Sequence, residues 1–331
     1  MNLLQLLKTG HLSPFLPFLH RDMMVAGLRA YIKLGGSPDL DFDGLLNLEV
    51  FTDPRALWFY GNDEIDFETE GLGLNDPDNV WVYIVTPGEI ALLGISRFLN
   101  NPRLDDAVIY PFLQGIRDFD HLIIDLRGNA GGYLRNFNEP ILRRLINEPV
   151  STSGHEFFGS GDLALEWTRF FFAQGGTLAS PTTTEMTIKS AAEFIAYHNM
   201  EYFNPQDLES LEYVVIWHSE ITPAADAVGF NGKIWLLVNG ESASASSVVI
   251  ANALQTGFAT VVGENTSGEM GSLISFVVLP NTGIIFRIDI GYKTDSRGRS
   301  LDEHGIAPQI PNRPVMDALQ TVLEIIQEAR D

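Results

Sequence analysis

An α/β core is predicted by three features of the sequence. From Val80 onward, short apolar or alternating segments rich in β-branched residues recur, bounded by Gly, Pro or Asn. Stretches with helical apolar spacing lie between several of them. The chain closes on an amphipathic segment of the kind that packs a helix against a sheet.

Taken in order, residues 1–35 mix helical spacing with Pro14 and Pro17, which break any long helix. Residues 36–80 are rich in Asp, Gly, Asn and Pro ("GGSPDLDFDG", "GLNDPDN") and read as loops with short strands. Strands are expected at "VWVYIV", "IALLGI", "HLIIDL", "KIWLLV", "ATVVGE", "SLISFVVLP" and "IIFRIDIGY". Helices are expected at "DAVIYPFLQGIRD", at "PILRRLINE" and at "ASSVVIANALQT", the last ended by Gly257. "VLPNTGIIF" reads as a hairpin. Residues 314–330 read as a closing helix with Pro314 in its first turn and Val315, Leu319, Val322, Leu323 and Ile326 on one stripe. No internal repeat or low-complexity tract interrupts this pattern. The division expected is an N-terminal segment, 1–79, and a core, 80–331.

The chain has 331 residues, 45% of them hydrophobic, enough for one large or two modest domains with a sizeable core. A formal net charge of −22 argues against nucleic acid and anionic membranes as partners, since the field would repel both. There is no cysteine, which excludes disulfides, a thiol nucleophile and thiolate metal sites. No apolar run approaches the roughly 18 residues of a membrane span. The start, "MNLLQLLKTGHLSPFLPFLH", lacks the basic opening and cleavage site of a signal peptide, so the compartment stays open.

Two stretches carry candidate chemistry. "GESASASSVVIANALQTG" places Ser242, Ser244, Ser246 and Ser247 where a strand turns sharply into a helix. A hydroxyl there faces unpaired backbone N–H groups and the positive end of the helix dipole. That setting suits a nucleophile beside an oxyanion site, and equally an ordinary N-cap. The G-x-S-x-G elbow is nearly present around Ser242, but Ser244 stands where its last glycine belongs. The second stretch, "HLIIDLRGNAGGYL", runs a buried strand into Asp125, Arg127, Asn129 and the pair Gly131–Gly132. The glycines permit an anion-binding nest of N–H groups, while Asp125 and Arg127 alternatively form a structural ion pair in a plain βα turn.

"IIDLRGNAGG", followed about 110 residues later by "LVNGESASASS", then "ATVVGENTSG" and "DEHGIAPQIP", resembles the core of the S41 serine peptidases. These are the tail-specific, C-terminal-processing proteases and their tricorn-like relatives. The resemblance implies a ClpP/crotonase-like spiral of ββα units over residues 80–312. It implies Ser244 as nucleophile, with an oxyanion hole formed by the N–H of Ala245 and a glycine N–H, Gly131 first and Gly132 second. Tail-specific proteases place a lysine base 25 residues after the serine, where this chain has Glu269. A carboxylate cannot simply replace a lysine of lowered pKa. The departure implies either that catalysis is lost or that the chain follows the tricorn-like branch, whose base is a histidine near the start of the domain and which also uses a glutamate near its end.

His11, in "LLKTGHLSPF", resembles the "L-x-D-G-H-[TS]" segment of that branch, with Thr9 replacing the aspartate. Glu303 matches the glutamate of the terminal motif, where it would support the site, and Ser13 is a further candidate support. "HEFFG" at His155 fails the zinc pattern because Gly159 holds the second ligand position. His121, His198, His218 and His304 read as structural or exposed. No PDZ insertion is apparent between His11 and the core. The resulting expectation is a serine peptidase acting on peptides or unfolded chains, needing no metal or organic cofactor. The oligomeric state stays open, and the resemblance favours a periplasmic or secreted setting. Two alternatives remain: a non-catalytic member that binds peptides or small ligands, and a crotonase-like acyl-CoA enzyme, which would leave the serine cluster unexplained.

Overall fold

A computed structural model describes residues 13–14, 53–60, 76–159, 183–268, 274–289 and 291–330. His11, Glu269 and most of the expected N-terminal segment lie outside these residues.

Short elements open the chain: β1 (Ser13–Pro14) and α1 (Pro54–Tyr60). The first ββα unit follows as β2 (Val80–Thr86), β3 (Ile90–Ile95) and α2 (Pro102–Gly115). Helix α2 starts where Asn101 caps the Arg103 N–H and Pro102 takes the first turn, a position that needs no amide donor. Strand β4 (His121–Asp125) then pairs parallel to β3. Irregular helical turns over 135–145 lead to β5 (Val150–Gly159), β6 (Thr183–Ser190), α3 (Ala191–His198) and β7 (Leu211–Ile221). The chain returns with β8 (Lys233–Val238), α4 (Ala245–Thr256) and β9 (Thr260–Gly263). Last come β10 (Ile274–Val278), β11 (Ile285–Asp289), β12 (Gly291–Tyr292), a single turn Leu301–His304, β13 (Ile310–Pro311) and α5 (Ala318–Glu328).

Among the described residues the strands form three sheets. The largest has the order β13-β9-β8-β4-β3-β2, so strands join it in chain order and the winding never doubles back. All its pairings are parallel except the β2–β3 hairpin. Strand alternation sorts its side chains to two faces. Leu93, Ile95, Leu122, Ile124, Leu236 and Val238 face α2 and α4 in one core. Leu92, Ile123, Trp235, Leu237 and Val262 face α5, which presents Ala318, Val322 and Ile326. Burying each large aliphatic of that stripe contributes about 1.5–3 kcal/mol. With both faces covered, the strands read as near-continuous apolar runs, as parallel strands do.

The second sheet, β12-β5-β7-β6, is antiparallel and carries its own core of Phe157, Phe194, Met200, Phe203 and Val214. The third pairs β1 with the β10–β11 hairpin, Ser13 opposite Arg287. The expected α/β architecture is therefore present, consistent with an S41-type fold built on ββα units.

The closing helix differs from expectation. It begins at Ala318, because Asp317 forms a capping box with Gln320: the Asp317 side chain takes the Gln320 N–H and the Gln320 side chain takes the Asp317 N–H. Pro314 lies upstream, and Val315 is fully exposed at φ 61°, off the apolar stripe. The reciprocal cap outweighs the proline signal. "PILRRLINE" forms a π-turn over Asn138–Leu142 and a short turn Arg143–Leu145 where a regular helix was expected.

Candidate active site

Strands β4 and β8 are parallel neighbours, with Asp125 opposite Leu237, so the loops that follow them leave the same sheet edge side by side. Ligands of open parallel sheets bind beyond such carboxyl ends. Three hydrogen bonds lace these two loops together: the Ser242 Oγ–H to the Leu126 carbonyl at 2.8 Å, the Gly128 N–H to Asn239 Oδ1 at 2.9 Å, and the Ala243 N–H to the Asn129 carbonyl at 3.0 Å. The Ser242 carbonyl also accepts both the N–H and the Oγ–H of Ser267, each at 3.1 Å.

Within this lacing the four serines separate. Ser242, Ser246 and Ser247 are fully buried. Ser242 is bonded as described, while the hydroxyls of Ser246 and Ser247 have no partner among the described residues. Ser244 is half-buried, and it alone adopts φ 54° with ψ −123°. That backbone conformation costs a non-glycine residue about 1–3 kcal/mol and persists only where surrounding bonds enforce it. Ser244 occupies the N-cap position of α4, yet its side chain makes no capping bond. The ordinary-cap reading therefore fails at this serine: its hydroxyl is turned out of the role that a cap residue fills. Strained strand-to-helix turns present nucleophiles in this manner.

The glycine pair packs directly on this elbow. A Cβ at Gly131 (φ +90°) would lie 2.7 Å from both the Ala245 nitrogen and the Ser244 Cβ. No side chain fits there. Gly132 instead abuts Phe98, forming a parallel bridge in which the Phe98 N–H meets the Gly131 carbonyl at 2.7 Å and the Tyr133 N–H meets the Phe98 carbonyl at 3.0 Å. In such a bridge the central residue, Gly132, turns its own N–H away from Phe98. The Gly131 N–H is committed to Asn129 Oδ1 at 2.8 Å. The N–H groups of Gly132 and Ala245 have no acceptor among the described residues. Ala245 is the first residue of a twelve-residue helix, so its N–H also lies at the positive end of the dipole.

The remaining candidates are placed as follows. Asp125 accepts three bonds from Arg127, to its N, Nε and Nη2 at 3.0, 2.9 and 2.7 Å. Arg127 Nη1 reaches Asp317, the α5 cap, at 3.1 Å. The structural ion-pair reading holds, and it ties the closing helix to the site loop. Glu303 sits on the turn Leu301–His304 with its side chain 58% exposed, and its carboxylate is 3.9 Å from the His304 ring. This turn is joined to the elbow indirectly: Thr266 N–H bonds the Ile306 carbonyl, and the adjacent Ser267 bonds Ser242. Glu303 makes no hydrogen bond to Ser242, Ser244 or Ala245.

None of the five described histidines, 121, 155, 198, 218 and 304, hydrogen-bonds to Ser244. His155 packs, largely shielded, against Phe157 and Phe194 with Nε2 at 2.9 Å from Thr294 Oγ1, and desolvation pulls its pKa down to about 4. His121 accepts from Trp235 Nε1, and desolvation lowers its pKa too. Both are structural rings. Among the described residues no group of three or more His, Cys, Asp or Glu is arranged to hold a metal ion, and no helix is long and apolar enough to cross a membrane. The residue that sequence reasoning passed over is Asn129: it was quoted as part of the glycine turn, without a role. Its signal was a polar amide between a buried strand and a glycine pair.

Comparison with known proteins adds three findings. The profile described as peptidase family S41 matches residues 89–312, about two thirds of the chain. The structure is similar to mature CPAF complexed with lactacystin (16% identity, TM-score 0.48, 75% of this chain and 53% of that one). It is also similar to a candidate peptidase from Parabacteroides merdae (16%, 0.48, 76% and 64%) and to the photosystem II D1 C-terminal processing protease (14%, 0.41, 75% and 52%). The chain thus spans between about half and two thirds of the length of these structures.

Proposed function

We propose, from the premise that this chain belongs to peptidase family S41, that it hydrolyses peptide bonds with Ser244 as the nucleophile. The observation that carries the reading is the conformation of Ser244: strained, uncapped, half-buried, and seated between a helix N-terminus and a glycine pair. The Ser242 hydroxyl, by contrast, is taken up in a buried bond to the Leu126 carbonyl.

His11 is proposed as the base and Glu303 as its support. The segment just beyond His11 is anchored, since Ser13 and Pro14 pair with β11. In the reaction, His11 takes the Ser244 proton as Oγ bonds to the substrate carbonyl carbon. The carbonyl oxygen becomes an oxyanion facing the Ala245 N–H and an N–H of the Gly131–Gly132 turn. Collapse breaks the C–N bond, and the imidazolium returns its proton to the leaving amine. Water, deprotonated by His11, then releases the acyl group and restores the serine. Substrates are peptides or unfolded chains, whose backbone can extend across the open turn at Gly132. The expected assignments of Ala245 and of the glycine pair to the oxyanion hole stay part of this proposal. Gly132 is the glycine whose N–H has no other acceptor among the described residues.

The test is reaction with a fluorophosphonate probe, which bonds only to an activated serine. Wild type and Ser242→Ala should label, while Ser244→Ala should not. Labelling lost in Ser242→Ala but kept in Ser244→Ala would transfer the role to Ser242. An unreactive wild type would leave a peptide-binding protein.

A further inference from the structure

The element that holds the two halves of this site together is a single buried asparagine. Asn129 is completely shielded from solvent and bonds through its Nδ2, its Oδ1 and both its backbone groups. Its Nδ2 donates to the carbonyl of Ile95, the last residue of β3, at 2.8 Å. Its Oδ1 accepts the Gly131 N–H at 2.8 Å. Its own N–H reaches Leu126 at 3.1 Å, and its carbonyl takes the N–H of Ala243, the residue before Ser244, at 3.0 Å. One residue thus links a central strand, the glycine turn and the nucleophile elbow.

Those bonds have a directional consequence. An N–H group has one proton, and that of Gly131 is spent on Asn129. Gly131 is thereby held with its Cα against the Ser244–Ala245 peptide, and the next amide, that of Gly132, is turned away from Phe98. The strand anchor at Ile95 keeps the turn from sliding along the sheet edge. A side chain one atom shorter would not span from Ile95 to Gly131. An aspartate would still accept the Gly131 N–H with one oxygen, but would set its other oxygen against the Ile95 carbonyl in a fully buried place, two acceptors with no donor between them.

We propose that Asn129 is the positioning residue of the oxyanion site: it fixes the Gly132 amide relative to Ser244 and does not itself touch substrate. The inference rests on the peptidase reading of Ser244. It assigns Asn129 to the reaction's rate and not to substrate affinity, because the oxyanion exists only after attack. Misplacing a donor by an ångström costs on the order of 10²-fold in rate.

The experiment compares wild type with Asn129→Asp for peptide turnover and for binding of a peptide boronate, which forms a tetrahedral adduct on an active serine. The variant should lose about 10²-fold in kcat with KM within about twofold. Its affinity for the boronate should fall in parallel, while affinity for the product peptide stays unchanged. A merely structural asparagine would lower the melting temperature and the active fraction without moving the ratio of boronate to product affinity. Should the variant not fold, wild type decides alone through its amide proton resonances. Boronate should then shift the Gly132 amide downfield and leave that of Gly131 in place. Wild-type kcat in Asn129→Asp, or a boronate-induced shift at Gly131 in place of Gly132, overturns the positioning role and leaves the peptidase reading standing. A wild type that binds no boronate and hydrolyses no peptide overturns both.

Discussion

The carboxyl edge of the parallel sheet and the antiparallel sheet β12-β5-β7-β6 solve opposite problems with the same chain. At the parallel edge, loops after β4 and β8 hold a serine in a costly conformation and leave two amides without acceptors among the described residues. In the antiparallel sheet, strain is absent from the paired strands and the interior is filled by packed rings, with Phe157 at 5.2 Å from Phe203 and 5.9 Å from Phe194. Even its largely shielded histidine is kept neutral and bonded to a hydroxyl. One region stores free energy where chemistry would draw on it, and the other minimises it. Mutations should therefore trade activity against stability in the first region and change stability alone in the second.

The strongest way to break this contrast is Ser244→Gly. Glycine adopts φ 54°, ψ −123° without steric cost, so relief of strain should exceed the added chain entropy of the unfolded state. Peptide turnover should fall on the order of 10⁶-fold, while thermal unfolding shows a gain of about 1 kcal/mol. A glycine variant that unfolds more readily than wild type would mean that the conformation of Ser244 is not strained. Gly131→Ala should come next in effect. Its Cβ would press to 2.7 Å from the Ala245 nitrogen at a φ that side chains avoid, so both readouts drop. The expected cost is about 1–3 kcal/mol in stability and roughly 10²-fold in kcat.

Ser242→Ala sharpens the comparison within the serine cluster. Removing a buried Oγ–H leaves the Leu126 carbonyl with the Asn129 N–H as its remaining donor. Stability should fall by about 1 kcal/mol, measured by denaturant unfolding. Turnover should change by less than about tenfold, because the hydroxyl shapes the elbow without reacting. Loss comparable to that of Ser244→Ala would place the chemistry two residues earlier.

How much of this was legible depends on where the determining contacts lie in the chain. The seam between β8 and α4 could be read locally: apolar run, Asn239–Gly240 turn, serines, then helical spacing ending at Gly257, and α4 spans Ala245–Thr256. The strands β3, β4, β8 and β9 were legible as continuous apolar segments, which is how doubly covered strands are written, though their order in the sheet was not. β5, β6 and β7 of the antiparallel sheet are not among the strands expected from the sequence. β5 and β6 interleave Ser, Thr, Gly and Glu with few aliphatics, and their pairing partner β7 lies up to about 70 residues away. The strain at Ser244 and the clamp at Asn129 were illegible for another reason. Both depend on bonds between distant segments: Ser242 reaches Leu126, and Asn129 reaches Ile95 and Ala243, while only the bonds of Asn129 to Leu126 and Gly131 are local.

The effect that leaves activity untouched tests the quiet region through its charge. Burial between Phe157 and Phe194 lowers the pKa of His155 to about 4, from the usual value near 6.5. Between these values the unfolded chain binds a proton that the folded chain refuses, so stability must fall as pH drops through the window. Above about pH 6.5 both states are neutral at this ring and its contribution is fully present; below about 4 the loss is complete. Full protonation would remove on the order of 3 kcal/mol. Carboxylates titrate in the lower half of the same window, so the wild-type curve alone does not isolate the ring. The difference between wild type and His155→Phe does, because phenylalanine keeps the ring packing, forfeits the bond to Thr294 and cannot titrate. At pH 7 the variant should be less stable by about 1 kcal/mol. Towards pH 4 that gap should close and reverse, as the wild type alone takes on the cost of protonation. Unfolding midpoints of the two proteins that stay parallel from pH 7 to pH 4 would show that the ring is open to water, and that the sheet does not exclude charge as its packing implies.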